Sequence, residues 1–249
     1  MIKKDYHVHS VFSDGENSPE EIVLYAIGKG LSEIGFSDHS YTFFDESYCI
    51  KKEKAGEYIA EIARLKNKYA DKIKVLCGVE QDFYSEESAK KFDYAIGSVH
   101  YLKKDGVFIP VDESKEILTA AVKERFDGDF YSAVEEYYKT VGEFSERNEI
   151  KVIGHFDLIA KFNGDGSLFD EQNARYVCAF KAAAEKLVKS GKVFEINTGA
   201  LRKGLRADAY PAKNIRDYIK SIGGKFVLSS DSHKKEDLLF GFELFENET

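Results

Sequence analysis

A chain of 249 residues with 36 basic and 44 acidic side chains carries a net charge of −8 at pH 7. With 43% hydrophobic and 14% aromatic residues it can build a sizeable core, which excludes global disorder. The acidic balance argues against a surface that coats nucleic acid or anionic membrane, because such surfaces need excess Lys and Arg.

In chain order, the N-terminal residues run into a strand over 2–9 with no apolar signal region before it. Ser18-Pro19-Glu20-Glu21 then reads as a helix start: a Ser cap, Pro at the first helical position and acids at the positive end of the dipole. That helix runs to Gly28 or Gly30. A strand over 32–38, a helix over 51–69 and strands over 73–80 and 92–100 follow. Residues 101–149 are more than one crossover helix needs and read as a helical insertion that includes a helix over 130–147. Strands over 151–155, 192–197 and 225–230 alternate with helices over 170–190 and 211–221, the last stopped by Gly223-Gly224. Seven strands alternating with helices imply one parallel α/β domain, which an open sheet and a closed barrel both satisfy. No G-x-G-x-x-G or G-x-x-x-x-G-K-[ST] phosphate loop occurs.

Cys49, Cys77 and Cys178 are odd in number and lack C-x-x-C spacing, which fits reduced thiols in a cytoplasmic protein. Cys77 and Cys178 lie in apolar runs and are expected to pack as small hydrophobes. No run of apolar residues is long enough for a membrane span.

The chain has six histidines, and each lies at the carboxyl end of an expected strand: His7, His9, His39, His100, His155 and His233. In parallel α/β folds that edge gathers ligands and catalytic groups. Glu80 ends the third strand, Asp14 follows His9 closely, and Asp231 precedes His233 by two. His7 and His9, two apart in a strand, can face the same side. Imidazole and carboxylate without thiolate form a ligand set for Zn²⁺, Mn²⁺ or Fe²⁺, and these nine groups suffice for two or three ions if a carboxylate bridges. Asp38 and Asp157 each flank a candidate ligand and read as either hydrogen-bond partners of an imidazole or helix caps. After the sixth strand, Arg202 and Lys203 reach the same edge, and Arg202 is the stronger candidate for a phosphate clamp. Asn163-Gly164-Asp165-Gly166 lacks the acid spacing of a calcium loop and reads as a turn. The aromatic residues of 126–138 read as helix core.

His7-Val8-His9-Ser10, Ser37-Asp38-His39, Gly78-Val79-Glu80, Ser98-Val99-His100, Gly154-His155-Phe156-Asp157 and Ser230-Asp231-Ser232-His233 resemble, in order, the motifs of the polymerase and histidinol phosphatase (PHP) superfamily. Chain length, the Tyr137-Tyr138 helix and the segment from Glu195-Ile196-Asn197 to Leu201-Arg202 are most similar to its monofunctional histidinol phosphatases. The resemblance implies a distorted (β/α)7 barrel with three divalent ions, and a phosphatase acting on the small phosphomonoester L-histidinol phosphate. By motif, His7, His9, Glu80 and Asp231 would hold the first ion, and Glu80 would bridge to a second held by His100 and His155. Asp14, His39 and His233 would hold the third, with Asp14 standing where many members have His. Arg202 would neutralise phosphoryl oxygens. The competing readings are another phosphoesterase of the superfamily, including a nuclease, and a non-enzymatic metal-binding domain. A nuclease should carry a basic groove, and no Lys/Arg run supplies one.

Overall fold

A computed structural model describes residues 3–249; Met1 and Ile2, the start of the first expected strand, lie outside the described residues. Seven strands form one sheet in the order β1 (Lys4–Asp5), β2 (Glu33–Phe36), β3 (Lys74–Asp82), β4 (Tyr94–Ser98), β7 (Val152–Ile153), β8 (Val193–Asn197) and β9 (Lys225–Ser229). Every neighbouring pair is parallel. The seam between β1 and β9 is closed by a parallel bridge between Val8 and Ser232, with His9 N–H donating to Ser232 O at 2.9 Å and Ser232 N–H to His7 O at 3.1 Å. Asp5, fully buried, accepts from Ser230 N–H and Leu239 N–H, both at 3.2 Å, and draws the C-terminal segment onto the same seam. The result is a distorted, nearly closed seven-stranded barrel.

The barrel interior explains two glycines. Tyr94 lies inside with its hydroxyl 2.6 Å from Tyr6 O and 3.0 Å from Phe36 O. A Cβ on Gly78 would come within 2.3 Å of that ring, and one on Gly35 within 2.4 Å of its hydroxyl. Interiors packed near crystal density leave no room for such an atom.

Helices α1 (Pro19–Gly28), α2 (Ala55–Lys68), α5 (Ala174–Lys189) and α7 (Lys213–Ser221) cover the barrel. α1 starts as expected, with Ser18 and Glu21 completing a reciprocal capping box. α2 turns Tyr58, Ile62 and Leu65 inward, the i, i+4, i+7 stripe of an amphipathic helix.

The insertion differs from expectation because it does not begin as helix. β5 (Tyr101–Lys104) and β6 (Val107–Pro110) form an antiparallel hairpin, followed by α3 (Lys115–Arg125) and α4 (Phe130–Gly142). Asp105-Gly106 makes its two-residue turn with φ of 50° and 81°, the left-handed pair that Asp-Gly supplies most readily. Tyr137 and Tyr138 on α4 are buried core, as expected. α6 (Gly199–Arg202) is a further short helix after β8. Cysteine packing needs a correction: Cys49 is buried, but Cys77 is half-buried and Cys178 is exposed on the outer face of α5. Among the described residues, no helix is long and apolar enough to cross a membrane.

Candidate metal centre

The expected ligands sit where strands leave the sheet at its carboxyl edge. Pairing ends at Asp5, Phe36, Ser98, Ile153 and Ser229, and His7, His39, His100, His155 and His233 lie a few residues beyond. Asp231, on the last of these turns, adopts a left-handed backbone with φ of 53°. Such strain in a non-glycine residue is tolerated where surrounding structure enforces it, commonly at functional sites.

Glu80, 1% exposed, stands at the centre. Its Oε2 lies 3.2 Å from His7 Nε2, 3.6 Å from His9 Nε2 and 2.9 Å from His39 Nδ1. Its Oε1 lies 2.9 Å from His155 Nε2 and 3.3 Å from His100 Nε2. The two oxygens of one carboxylate therefore serve different sets of imidazoles. Asp231 Oδ1 approaches His9 Nε2 at 3.2 Å and His7 Nε2 at 3.5 Å. Asp14 lies 3.1 Å from His233 Nε2 and 3.6 Å from both His39 Nε2 and His9 Nδ1.

The donor set fits divalent ions. Three overlapping groups offer ligand atoms within 4.8 Å of one another: His9, Asp14, His39 and His233; His7, His9 and Glu80; His39, Glu80 and His100. His9 and His39 each belong to two groups, so the partition is less strict than the motif pattern implied. Nε2 of His7, both ring nitrogens of His9 and Oε2 of Glu80 are buried without a hydrogen bond. Buried polar atoms are rarely left so, and a cation is what this donor chemistry would bind.

Electrostatics agree. Burial works against ionising Glu80 and Asp231, but the surrounding imidazoles outweigh it and hold both well below the usual carboxylate range. Burial, reinforced by His233 and His39, pushes His9 down to about 3. His7 and His100 go the other way despite burial, His7 through Glu195, Asp231 and Glu80, and His100 to about 10 through Glu80 and Asp82. Positive charge is favoured at this centre.

Two residues that the sequence did not mark as imidazole partners act as such. Glu195 Oε1 lies 2.8 Å from His7 Nδ1, and Asp82 Oδ2 lies 3.3 Å from His100 Nδ1. Both occupy inward positions on β8 and β3, and spacing alone could have flagged Asp82, two residues beyond Glu80. Asp38 and Asp157 take neither expected role. Asp38 accepts hydrogen bonds from the Ser10–Ser13 turn, and Asp157 accepts from Ala212 N–H at 3.0 Å while sitting 3.9 Å from Arg206. Asn163 does anchor a turn, its Oδ1 accepting from Leu168 and Phe169 N–H at 3.0 and 3.2 Å.

A cavity of about 380 Å³ opens over these ligands. Lys203 lines it, but Arg202 does not. Arg202, the stronger clamp candidate by sequence, instead has a half-exposed guanidinium that donates to Asp237 at 2.5 Å and lies over the Phe240 ring. Lys161, missed from the sequence, lines the cavity and is held by the backbone carbonyl of Asp112 at 2.7 Å and its carboxylate at 3.1 Å. The insertion hairpin supplies Tyr101 and Pro110 to the wall and the segment after it Asp112 and Glu113, with Val111 N–H bonded to His100 O at 2.9 Å.

Residues 5–199 match the family model described as PHP domain. A Deinococcus radiodurans protein described as "Probable histidinol-phosphatase" is 32% identical over 96% of this chain and 89% of its own length. A histidinol-phosphatase from Lactococcus lactis is 32% identical over 94% of this chain and 85% of its own. Among solved structures, a histidinol phosphate phosphatase from Lactococcus lactis, complexed with zinc, L-histidinol and phosphate, superposes with a TM-score of 0.72 at 25% identity, covering 99% of this chain and 93% of that one. Motif order, barrel and ligand cluster agree with these matches, and the chain belongs to the PHP domain family.

Proposed function

We propose that this chain hydrolyses L-histidinol phosphate to L-histidinol and phosphate in a metal-dependent reaction, using three divalent ions drawn from Zn²⁺, Mn²⁺ or Fe²⁺. The observation that carries the reading is Glu80 placed among five imidazoles at the floor of a cavity whose wall presents two lysines. The names of the relatives support the substrate. His7, His9, Glu80 and Asp231 would hold one ion, Glu80, His100 and His155 a second, and Asp14, His39 and His233 a third. Such ions lower the pKa of water towards neutrality and offset charge on phosphoryl oxygens.

The chain's own groups then orient the substrate. Lys203 and Lys161 neutralise phosphoryl oxygens, and Asp112 pins Lys161 in place for that task. Tyr210, whose buried hydroxyl has no hydrogen-bond partner, lines the same wall and is available to donate to the bound phosphate. The far end of L-histidinol phosphate carries an ammonium and an imidazole. Glu113 offers a carboxylate there, and Tyr48 and Tyr101 offer ring surfaces. A small soluble substrate of this kind fits a cytoplasmic enzyme.

The test is a panel of L-histidinol phosphate, p-nitrophenyl phosphate and single-stranded DNA assayed with metal-loaded protein. A kcat/KM for L-histidinol phosphate far above the others is expected. Equal turnover of both monoesters would contradict the substrate assignment, and preferred DNA degradation would replace it with a nuclease.

A further inference from the structure

The Ser10–Gly15 turn carries Asp14, and its anchor lies outside the ligand set. Asp38 is fully buried. Its Oδ1 accepts from Ser10 N–H at 2.8 Å, Ser13 N–H at 3.1 Å and the Ser13 hydroxyl at 2.6 Å, while the Ser10 hydroxyl lies 2.9 Å from Oδ2 and 3.0 Å from Oδ1. The turn is also closed on itself, with Ser13 N–H and Gly15 N–H donating to Ser10 O at 3.1 and 3.0 Å. A Cβ on Gly15 would lie 2.5 Å from His9 O, so only glycine fits where the turn folds back on His9.

Asp14 needs such an anchor. Its side chain is 32% exposed, so packing does not fix it, unlike Glu80 at 1%. Glu80 lies within β3, and the six histidines and Asp231 lie within a few residues of a strand end. Asp14 hangs from the Ser10–Gly15 turn, and the residue that holds that turn immediately precedes His39 in the chain. One buried carboxylate thereby ties the segment delivering His39 to the segment delivering Asp14.

We infer that Asp38 is a positioning residue for the ion held by Asp14, His39 and His233, setting that ion's affinity without touching it. The inference rests on the three-ion reading. Outer partners of metal ligands typically change affinity by about ten- to a hundredfold when removed. Asp38→Asn keeps size and one acceptor oxygen but loses the charge that four donors address, so the effect should fall on the turn and spare the strand-borne ligands.

The experiment counts metal per chain in Mn²⁺-loaded, dialysed protein by elemental analysis, followed by Mn²⁺ titration. Wild type should hold three ions. Asp38→Asn should hold two, regain the third only at about tenfold or higher Mn²⁺, and bind the other two with wild-type affinity. Ser10→Ala, which removes from the opposite side a hydroxyl bonded to Asp38, should shift the third affinity in the same direction by less. Asp14→Ala should also hold two ions, and adding Asp38→Asn to it should cost nothing further. Three ions in Asp38→Asn at unchanged affinity would overturn the inference, as would equal weakening of all three, which marks a general structural role. Fewer than three ions in wild type would overturn the three-ion reading and this inference with it.

Discussion

Oε1 of Glu195 on β8 lies 2.8 Å from Nδ1 of His7, across the barrel floor, with both side chains almost wholly buried. The contact leaves Nε2 of His7 facing Glu80 and Asp231. The other Glu195 oxygen accepts from His155 N–H at 3.3 Å and Asn197 Nδ2 at 3.2 Å, so one carboxylate holds the His7 ring and the His155 backbone, both candidate ligands. Glu195→Gln should weaken metal binding about ten- to a hundredfold while preserving the fold. Metal titration followed by circular dichroism checks this; unchanged affinity would remove Glu195 from the centre.

Lys203 and Arg202 should separate cleanly. A charge-assisted hydrogen bond to phosphate is worth about 1.5–3 kcal/mol, so Lys203→Ala should lower kcat/KM by about ten- to a hundredfold on any phosphomonoester. Arg202→Ala breaks an exposed pair with Asp237, which contributes about 0.2–1 kcal/mol to stability, and should leave kinetics within about twofold. The reverse order of effects would return the phosphate clamp to Arg202.

Glu113 tests which end of the substrate faces the hairpin. Glu113→Gln should lower kcat/KM on L-histidinol phosphate about three- to fivefold, in keeping with a solvent-exposed charge pair, and leave p-nitrophenyl phosphate unchanged. An equal loss on both substrates would mean that Glu113 does not read the cationic end.

Gly78→Ala probes the barrel interior. Its new Cβ would meet the Tyr94 ring at 2.3 Å, and overpacking of this kind costs about 1–3 kcal/mol. A urea midpoint equal to that of the wild type would show that Tyr94 can move aside.

The positions of the candidate ligands were legible because short strands end at His-x-His, Asp-His, Val-Glu and Asp-Ser-His, and parallel barrels gather such ends at one edge. All seven sheet strands were legible for the same reason, as short apolar runs separated by amphipathic helices. The hairpin was not, although Asp105-Gly106 marks it, because a long span between strands invited a helical reading. Arg202 was misplaced by geometry that spacing cannot show. Successive residues on a helix project about 100° apart, so α6 turns Arg202 to Asp237 and brings Lys203 back to the cavity. Glu195 entered only through the family-like segment it begins, because nothing local distinguishes a buried imidazole partner in an apolar strand from an outward-facing acid. Asp38 had a partner, but in a turn far back in the chain rather than in an adjacent imidazole.

The central claim is that imidazoles and carboxylates gathered around Glu80 hold the ions on which phosphoester hydrolysis depends. Its most direct measurement is turnover of L-histidinol phosphate by protein stripped with chelator, its metal content verified by elemental analysis, and then titrated with Mn²⁺ or Zn²⁺. The account predicts no turnover in the stripped protein and recovery as ions bind. Full turnover with metal content at zero would contradict it.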